Sequence, residues 1–394
     1  MFLKKLSVIF AATVTVSAMT FSASAASSVA INAKNFPDEI FREYVAERFD
    51  SDNDGKLSEN EILSVKKINV RNNVIKSIKG VEYFTELTYL NCEHNNIGEI
   101  DITKNTKLTD FSCGKNQIPE LDVSKNTELE WLDCYGCGLT ELDVSKNTKL
   151  IYLACYHNKL TKIDVTNNTE LRSLFCENNL FTSLDLRKNT KLTSLNCTYN
   201  YLKKLDVNKN TRLIELLCDN NELTSLNVRN NPDLEMLRFS YNQIKNIDLS
   251  RNKKLTEIRC ANNQLKSLDV SKNTKLFELN CPNNLLKNLN LSNNKELMQL
   301  YCEGNKLVSL TVVPNDFITF KCSGNIFKIS AAIGDKYDLS KLEKYGFDPE
   351  KASGWNGAEY DKKTNTIKIK SKTITYNYDA GGVTVKFTFT ANKK

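Results

Sequence analysis

Cys92, Cys113, Cys134, Cys155, Cys176, Cys197 and Cys218 follow one another at intervals of 21 residues, and this beat constrains the fold more than any other feature of the sequence. Phe239 takes the next slot, Cys260, Cys281 and Cys302 resume the interval, and Cys322 arrives one residue early. Eleven of the 12 cysteines therefore hold one structural position. A chain repeating at such a period folds as stacked units, because one unit cannot bury its own apolar side. Unit starts at Val65, Leu87, Leu108, Leu129, Leu150, Leu171, Leu192, Leu213, Leu234, Leu255, Leu276 and Leu297 give twelve full units, with a partial one at Phe317.

The unit beginning at Leu87 reads L-x-x-L-x-C-x-x-N-x-I-x-x-I-D-I-x-x-N-x-x. Its x-L-x-C segment alternates with period two, as a short strand with one buried face does. Stacked in register, roughly twelve such strands make a parallel sheet about 55 Å long. An asparagine column from Asn95 to Asn325 follows each strand by three residues, and a second runs from Asn105 to Asn315. A side-chain amide at a buried bend can satisfy backbone groups of its own and the neighbouring coil. With only 14 glycines in 394 residues, hydrogen bonding rather than glycine must hold these turns.

These motifs resemble the leucine-rich repeat family over residues 65–329, in the short 21-residue bacterial class, while Ile68, Val70, Asn73, Ile75 and Ile78 of the first unit look more like the internalin type. The resemblance implies a leucine-rich-repeat solenoid with a parallel β-sheet on its concave face and extended or short 3-10 segments on its convex face. It also implies a concave surface used for binding. The cysteines sit where other repeats of this type carry leucine, and Phe239 replaces one of them, so they read as buried free thiols filling space. Disulfides between in-register neighbours are the alternative, at Cβ separations near the strand spacing of about 4.8 Å. Cys137 occupies the asparagine position three after Cys134, where its S–H can replace an amide donor or bridge to Cys134.

Both ends depart from the repeat. Residues 1–25 read as a signal peptide: Lys4 and Lys5, then an apolar stretch from Leu6 to Thr20, then Ala23-Ser24-Ala25. Removing Lys4 and Lys5 from 54 basic residues leaves 52 against 47 acidic ones, a balance that gives no case for nucleic acid. The export signal, with no second long apolar stretch, points to a secreted, extracellular product without a transmembrane anchor. Residues 26–64 form an N-terminal cap. Asn35 to Phe49 reads as an amphipathic helix with Phe36, Ile40, Phe41, Tyr44, Val45 and Phe49 on one stripe and Pro37 in its first turn. It leads into Asp50-Ser-Asp52-Asn-Asp54-Gly55-Lys56-Leu57-Ser58-Glu-Asn-Glu61, the pattern of an EF-hand calcium loop. Asp50, Asp52 and Asp54 supply hard oxygens, Lys56 its carbonyl, Ser58 a water-mediated contact, and Glu61 closes the site. A single loop without a partner loop resembles the EF-hand-like caps of some secreted bacterial repeat proteins, so the calcium is expected to be structural. Residues 330–394 alternate as a small antiparallel β cap or immunoglobulin-like module, with three clear strands and a turn at Asp379-Ala380-Gly381-Gly382.

Strand alternation sends Tyr89, Asp110, Trp131 and Tyr152 to one concave column, Asp133 and Phe175 to the next, and Tyr135, Tyr156 and Glu177 to a third. Such large aromatics on adjacent strands mark a partner site, because aromatic residues anchor protein interfaces and also stack on sugar rings. The alternative is that they pack on one another and stiffen the sheet. Lysines gather instead in outer turns such as Thr103 to Lys107. Two histidines leave almost no room for a histidine-based triad, and Asp110, Asp133 and Glu177 show no readable pairing that would tune them for catalysis. The expectation is a monomeric, non-enzymatic binding or adhesion scaffold for a protein partner, with a cell-surface glycan, a passive surface role or a hydrolase as other readings.

Overall fold

Each repeat turns the x-L-x residues just before its cysteine position into a three-residue strand, as at Tyr89–Asn91, Asp110–Ser112, Trp131–Asp133, Tyr152–Ala154 and Ser173–Phe175. Successive strands pair in parallel with the register of the repeat, so that Trp131 lies opposite Asp110 and Tyr152, and Asp133 opposite Ser112 and Ala154. Thirteen of them, from Lys67–Asn69 to Thr319–Lys321, form one continuous sheet. The computed structural model describes residues 28–314 and 316–392. The expected signal peptide and Asn315 lie outside the described residues. The central residue of each strand points into the solenoid and its neighbours face out, the alternation that period two demands. On the convex side the first repeat alone carries a 3-10 turn, Val81–Tyr83, while later repeats run through bends and, near the end, a strand pair at Asn288–Asn290 and Ser309–Thr311.

The two asparagine columns bond differently. In the first, Asn116 donates to the Cys92 and Cys113 carbonyls (2.9 and 2.8 Å) while its Oδ1 accepts from the Ile97 N–H at 3.0 Å, so one side chain ties two coils. In the second, Asn168 donates to the carbonyls of Val144 (3.0 Å) and Asn147 (2.9 Å). Its Oδ1, like that of nine equivalents from Asn105 to Asn294, accepts no hydrogen bond. This column works through its donors alone. At the gap in the first column, the Cys137 Sγ donates to the Cys113 carbonyl at 3.3 Å, as its position suggested, and Cys137 forms no bridge to Cys134.

The cysteine column is fully buried, and ten of the cysteines are free thiols. Burial drives the thiols upward, Cys197 and Cys281 to about 12, which keeps them protonated and unreactive. One pair corrects the sequence expectation: Cys302 and Cys322 form a disulfide, with Cα atoms 4.8 Å apart. Cys322 follows the final strand of the sheet, so it neighbours a coil on one side only. A denatured, unreduced sample should therefore titrate ten thiols and a reduced one twelve. Twelve before reduction would dismiss the bond.

The N-terminal cap is built from helix α1 (Glu39–Phe49) and helix α2 (Glu59–Ser64). Helix α1 starts later than the apolar pattern suggests, because Asp38 caps it by accepting from the Phe41 N–H at 3.0 Å, leaving Asn35 to Pro37 outside. Asp38 also accepts from the Lys76 N–H at 2.8 Å, pinning the helix start to the first repeat. Phe36, Phe41 and Val45 are buried, but Ile40 is 43% exposed and leaves the stripe. Gly80 seats the cap: a Cβ there would meet the Phe36 ring at 2.3 Å, and its φ of +105° suits glycine.

At the other end the expected three strands are seven. Four form one sheet (Ile326–Ala332, Thr384–Asn392, Thr373–Asp379, Ala352–Asn356) and three another (Lys336–Asp338, Thr366–Ile369, Ala358–Asp361). The Thr373–Asp379 and Thr384–Asn392 hairpin forms around the expected turn, whereas Ile326–Ala332 joins the last strand in parallel rather than antiparallel. Strands such as Ala352–Asn356 (ASGWN) carry no alternation to betray them. The Tyr376 hydroxyl donates to the Val308 carbonyl at 2.9 Å, and the Val312 N–H to the Ala380 carbonyl at 2.7 Å, which joins this module to the last coils.

Candidate functional site

The concave face is where the in-register repeat does something its core does not. Trp131 and Tyr152, opposite each other on adjacent strands, stack with centroids 3.5 Å apart and planes within 5°. Phe175 extends the cluster, its ring 5.5 Å from that of Tyr152. Two columns away, Tyr135 and Tyr156 stack at 4.6 Å and 14°. Trp131 remains 41% exposed, so the platform faces solvent. Tyr135 owes its position to Gly114, since a Cβ there would overlap its ring at 2.3 Å, and its hydroxyl sits 2.8 Å from the His94 Nε2.

Between the two stacked pairs lies Asp133, flanked on its own row by Ser112 and Ala154. These small neighbours place its carboxylate between the two rows of rings. Burial lifts Asp133 to about 7, and Glu93 and Glu177 push the same way against the Tyr135 N–H and Arg71. Burial also raises Glu177, whose Oε2 is enclosed without a hydrogen-bond partner, and lifts the Tyr152 hydroxyl to about 12. Arg71 is committed to Glu93 at 3.3 Å. Among the described residues neither Asp133 nor Glu177 has an ion pair. The far half of the sheet differs, because Arg238, Glu257, Arg259 and Glu278 neutralise one another at 2.6–2.9 Å.

Residues 232–273 match the family described as Leucine Rich repeats (2 copies). Internalin J of Listeria monocytogenes serotype 4b (strain F2365) is 38% identical over 71 residues, which is 18% of this chain and 8% of that protein's length. The solved functional domain of InlJ from Listeria monocytogenes, which includes a cysteine ladder, superposes with a TM-score of 0.62 at 27% identity, covering 93% of this chain and 99% of that one. The chain has the leucine-rich-repeat fold and is similar to the internalins. A second solved relative, the internalin InlF of Listeria monocytogenes strain 4b F2365, shares the fold at 23% identity and a TM-score of 0.61, over 76% of this chain and 98% of that one.

In this leucine-rich-repeat protein the sequence-predicted surface residues divide. Trp131, Tyr152, Phe175, Tyr135, Tyr156, Asp133 and Glu177 come together. Tyr89 and Asp110 share the Trp131 column but stand apart: Tyr89 lies beneath the Lys67 ammonium (5.9 Å), and Asp110 accepts from the Thr109 hydroxyl at 2.7 Å. Glu93, Arg71, Gly114, His94 and His157 belong to the surroundings and were not singled out. His94 and His157 fall two residues after a cysteine, at φ of +53°, a slot that asparagine and glycine fill in other repeats. That recurrence was the readable signal.

Of the predicted calcium ligands, Asp50, Asp52 and Asp54 converge, with one ligand atom from each within 4.8 Å of the others. Two oxygens bound to one calcium at 2.3–2.6 Å lie at most about 5 Å apart, so the set fits that ion. Glu61 does not join them: its oxygens accept from Ser51 (2.6 and 2.7 Å) and Ser58 (2.8 Å), chiefly the Ser51 hydroxyl, which holds it near a pKa of 2. Ser58 is the N-cap of α2. Lys56 lies in a two-residue strand, Lys56–Leu57, paired with Val29–Ala30, which stands where a second loop's strand would be.

Proposed function

We propose that this protein is a secreted, non-enzymatic scaffold that binds a protein partner on the Trp131–Tyr152–Phe175 and Tyr135–Tyr156 face. Leucine-rich repeats of this kind serve as protein-interaction modules, and no helix among the described residues is long and apolar enough to cross a membrane. The observation that carries the reading is the open platform of stacked rings, large apolar surfaces that a monomer does not leave exposed without use. Capture from host cell surfaces and a glycan array, run with the wild type and with Trp131→Ala/Tyr152→Ala, tests it. Loss of at least tenfold in protein capture by the variant is expected, since buried aromatic anchors contribute 2 kcal/mol or more, about thirtyfold. Equal capture by both proteins would remove the site, and retention on glycans alone would make the ligand a saccharide.

Calcium held by Asp50, Asp52 and Asp54 is the second part of the proposal. Its role would be to stiffen the loop between α1 and α2 and so hold Phe36 and Phe41 against the first repeat. At 100 times its dissociation constant the ion would add about 2.7 kcal/mol. Melting temperatures that coincide in calcium and in chelator would sink this role.

A further inference from the structure

We propose that Asp133, between the two stacked pairs, receives a cationic side chain of the partner, arginine in the first place. The proposal rests on the reading of the concave face given above and adds what that face selects. Three observations carry it. A carboxylate lies between two stacked aromatic pairs, and its partners in register are the small residues Ser112 and Ala154. Glu93 and Glu177 add negative charge from two strands away on either side, Arg71, the cation that acts on Asp133, is already engaged by Glu93, and Lys115 lies over the Tyr135 ring at 6.0 Å. Elsewhere on the same sheet Glu257 and Glu278 are paired with Arg238 and Arg259, whereas Asp133 has no ion pair among the described residues.

The chemistry narrows the occupant. A metal ion needs several oxygens within reach of one point, and among the described residues only Asp50, Asp52 and Asp54 are so grouped. A saccharide hydroxyl can hydrogen-bond Asp133 but cannot supply charge. A guanidinium does both: it offers paired N–H donors to a carboxylate, and its flat, weakly hydrated face stacks on aromatic rings. Lysine satisfies the charge but not the stacking, and it loses more hydration on entering.

The raised state of Asp133 agrees with such an occupant, because a cation beside it favours the ionised acid and its binding must release a proton near neutrality. The groups around it are Glu93, Arg71, Glu177, Tyr135, Tyr152 and Tyr156, with His94 and His157 in contact with the tyrosines.

The test uses the full chain and two probes of one shape, hexa-arginine amide and hexa-citrulline amide, followed by calorimetric titration at pH 8. Hexa-arginine is expected to bind at least tenfold tighter than hexa-citrulline, and Asp133→Asn to erase that difference. In a His94→Gln/His157→Gln background, moving to pH 5.5 should weaken hexa-arginine at least tenfold and leave the Asp133→Asn protein unmoved. Equal binding of the two peptides, or an Asp133→Asn protein that keeps the arginine preference, overturns the proposal. If the peptides bind equally and Trp131→Ala/Tyr152→Ala abolishes both, the aromatic face still docks partners and only its charge selection is wrong. If neither variant changes the binding of either peptide, both readings fall.

Discussion

At pH 8 the Asp133→Asn protein should resist urea better than the wild type, and near pH 3.5 the two should unfold together. The folded chain lifts this carboxyl from an ordinary 3.8 to about 7, chiefly by burial. A group whose folded pKa lies above its unfolded one contributes its full stability below the unfolded value. That contribution is lost as pH rises through the folded value. Relative to the Asp133→Asn protein, wild-type stability should therefore fall between about pH 4 and pH 7, by about 4 kcal/mol at 1.36 kcal/mol per unit. Asparagine keeps the shape and can still accept from the Tyr135 N–H, as Asp133 does at 3.2 Å, but it carries no charge to desolvate. Urea midpoints at four or five pH values would settle the matter, and parallel curves for the two proteins would refute it. An acid retained at that cost, at a point where no cation of the chain pairs with it, belongs with sites where function is kept against stability.

Replacing Asn168 by alanine should cost about 2–4 kcal/mol. The side chain is wholly buried, and its amide donates to the carbonyls of Val144 and Asn147 at 3.0 and 2.9 Å. Each of those carbonyls also accepts a backbone N–H, from Asn147 at 3.0 Å and from Leu150 at 3.1 Å, so the substitution removes one of two donors at each, at about 0.5–1.5 kcal/mol per bond, and leaves a small cavity. Asn168→Asp should be worse, because it sets a charged acceptor against two acceptors. The neighbouring Asn167, exposed and donating to the Ser145 carbonyl at 3.3 Å, provides the control, and its alanine variant should change stability by less than about 0.5 kcal/mol. Urea unfolding of the three variants measures this directly. A cost below 1 kcal/mol for Asn168→Ala would show that these donors are not what holds the outer bend.

Most of the fold was legible because the repeat is self-confirming. Leucines, cysteines and two asparagine columns keep one period, so each of a dozen units independently specifies the same strand and the same bends. The Trp131–Tyr152 and Tyr135–Tyr156 stacks followed from that register, since residues 21 apart must be neighbours on adjacent strands. Legibility failed where the period ends. The late start of α1 depended on Asp38 finding both the Phe41 and Lys76 N–H groups, the latter 38 residues away. Apart from Ile326–Ala332, the extra C-terminal strands are only three to five residues long, and they exist because partners elsewhere in the chain pair with them.

The periodic sequence by itself determined the solenoid, its concave sheet and the columns that line it, because a parallel stack converts spacing along the chain directly into adjacency in space. Only the tertiary structure decided what those columns do. Asp133 reads as one more polar slot until Ser112 and Ala154 are seen to flank it and the rings on either side to strip it of water. Cys302 and Cys322 read as two more space-filling thiols until the sheet ends beside them. Desolvation and bonding are properties of a surrounding volume, supplied by several coils at once, and no single repeat contains them.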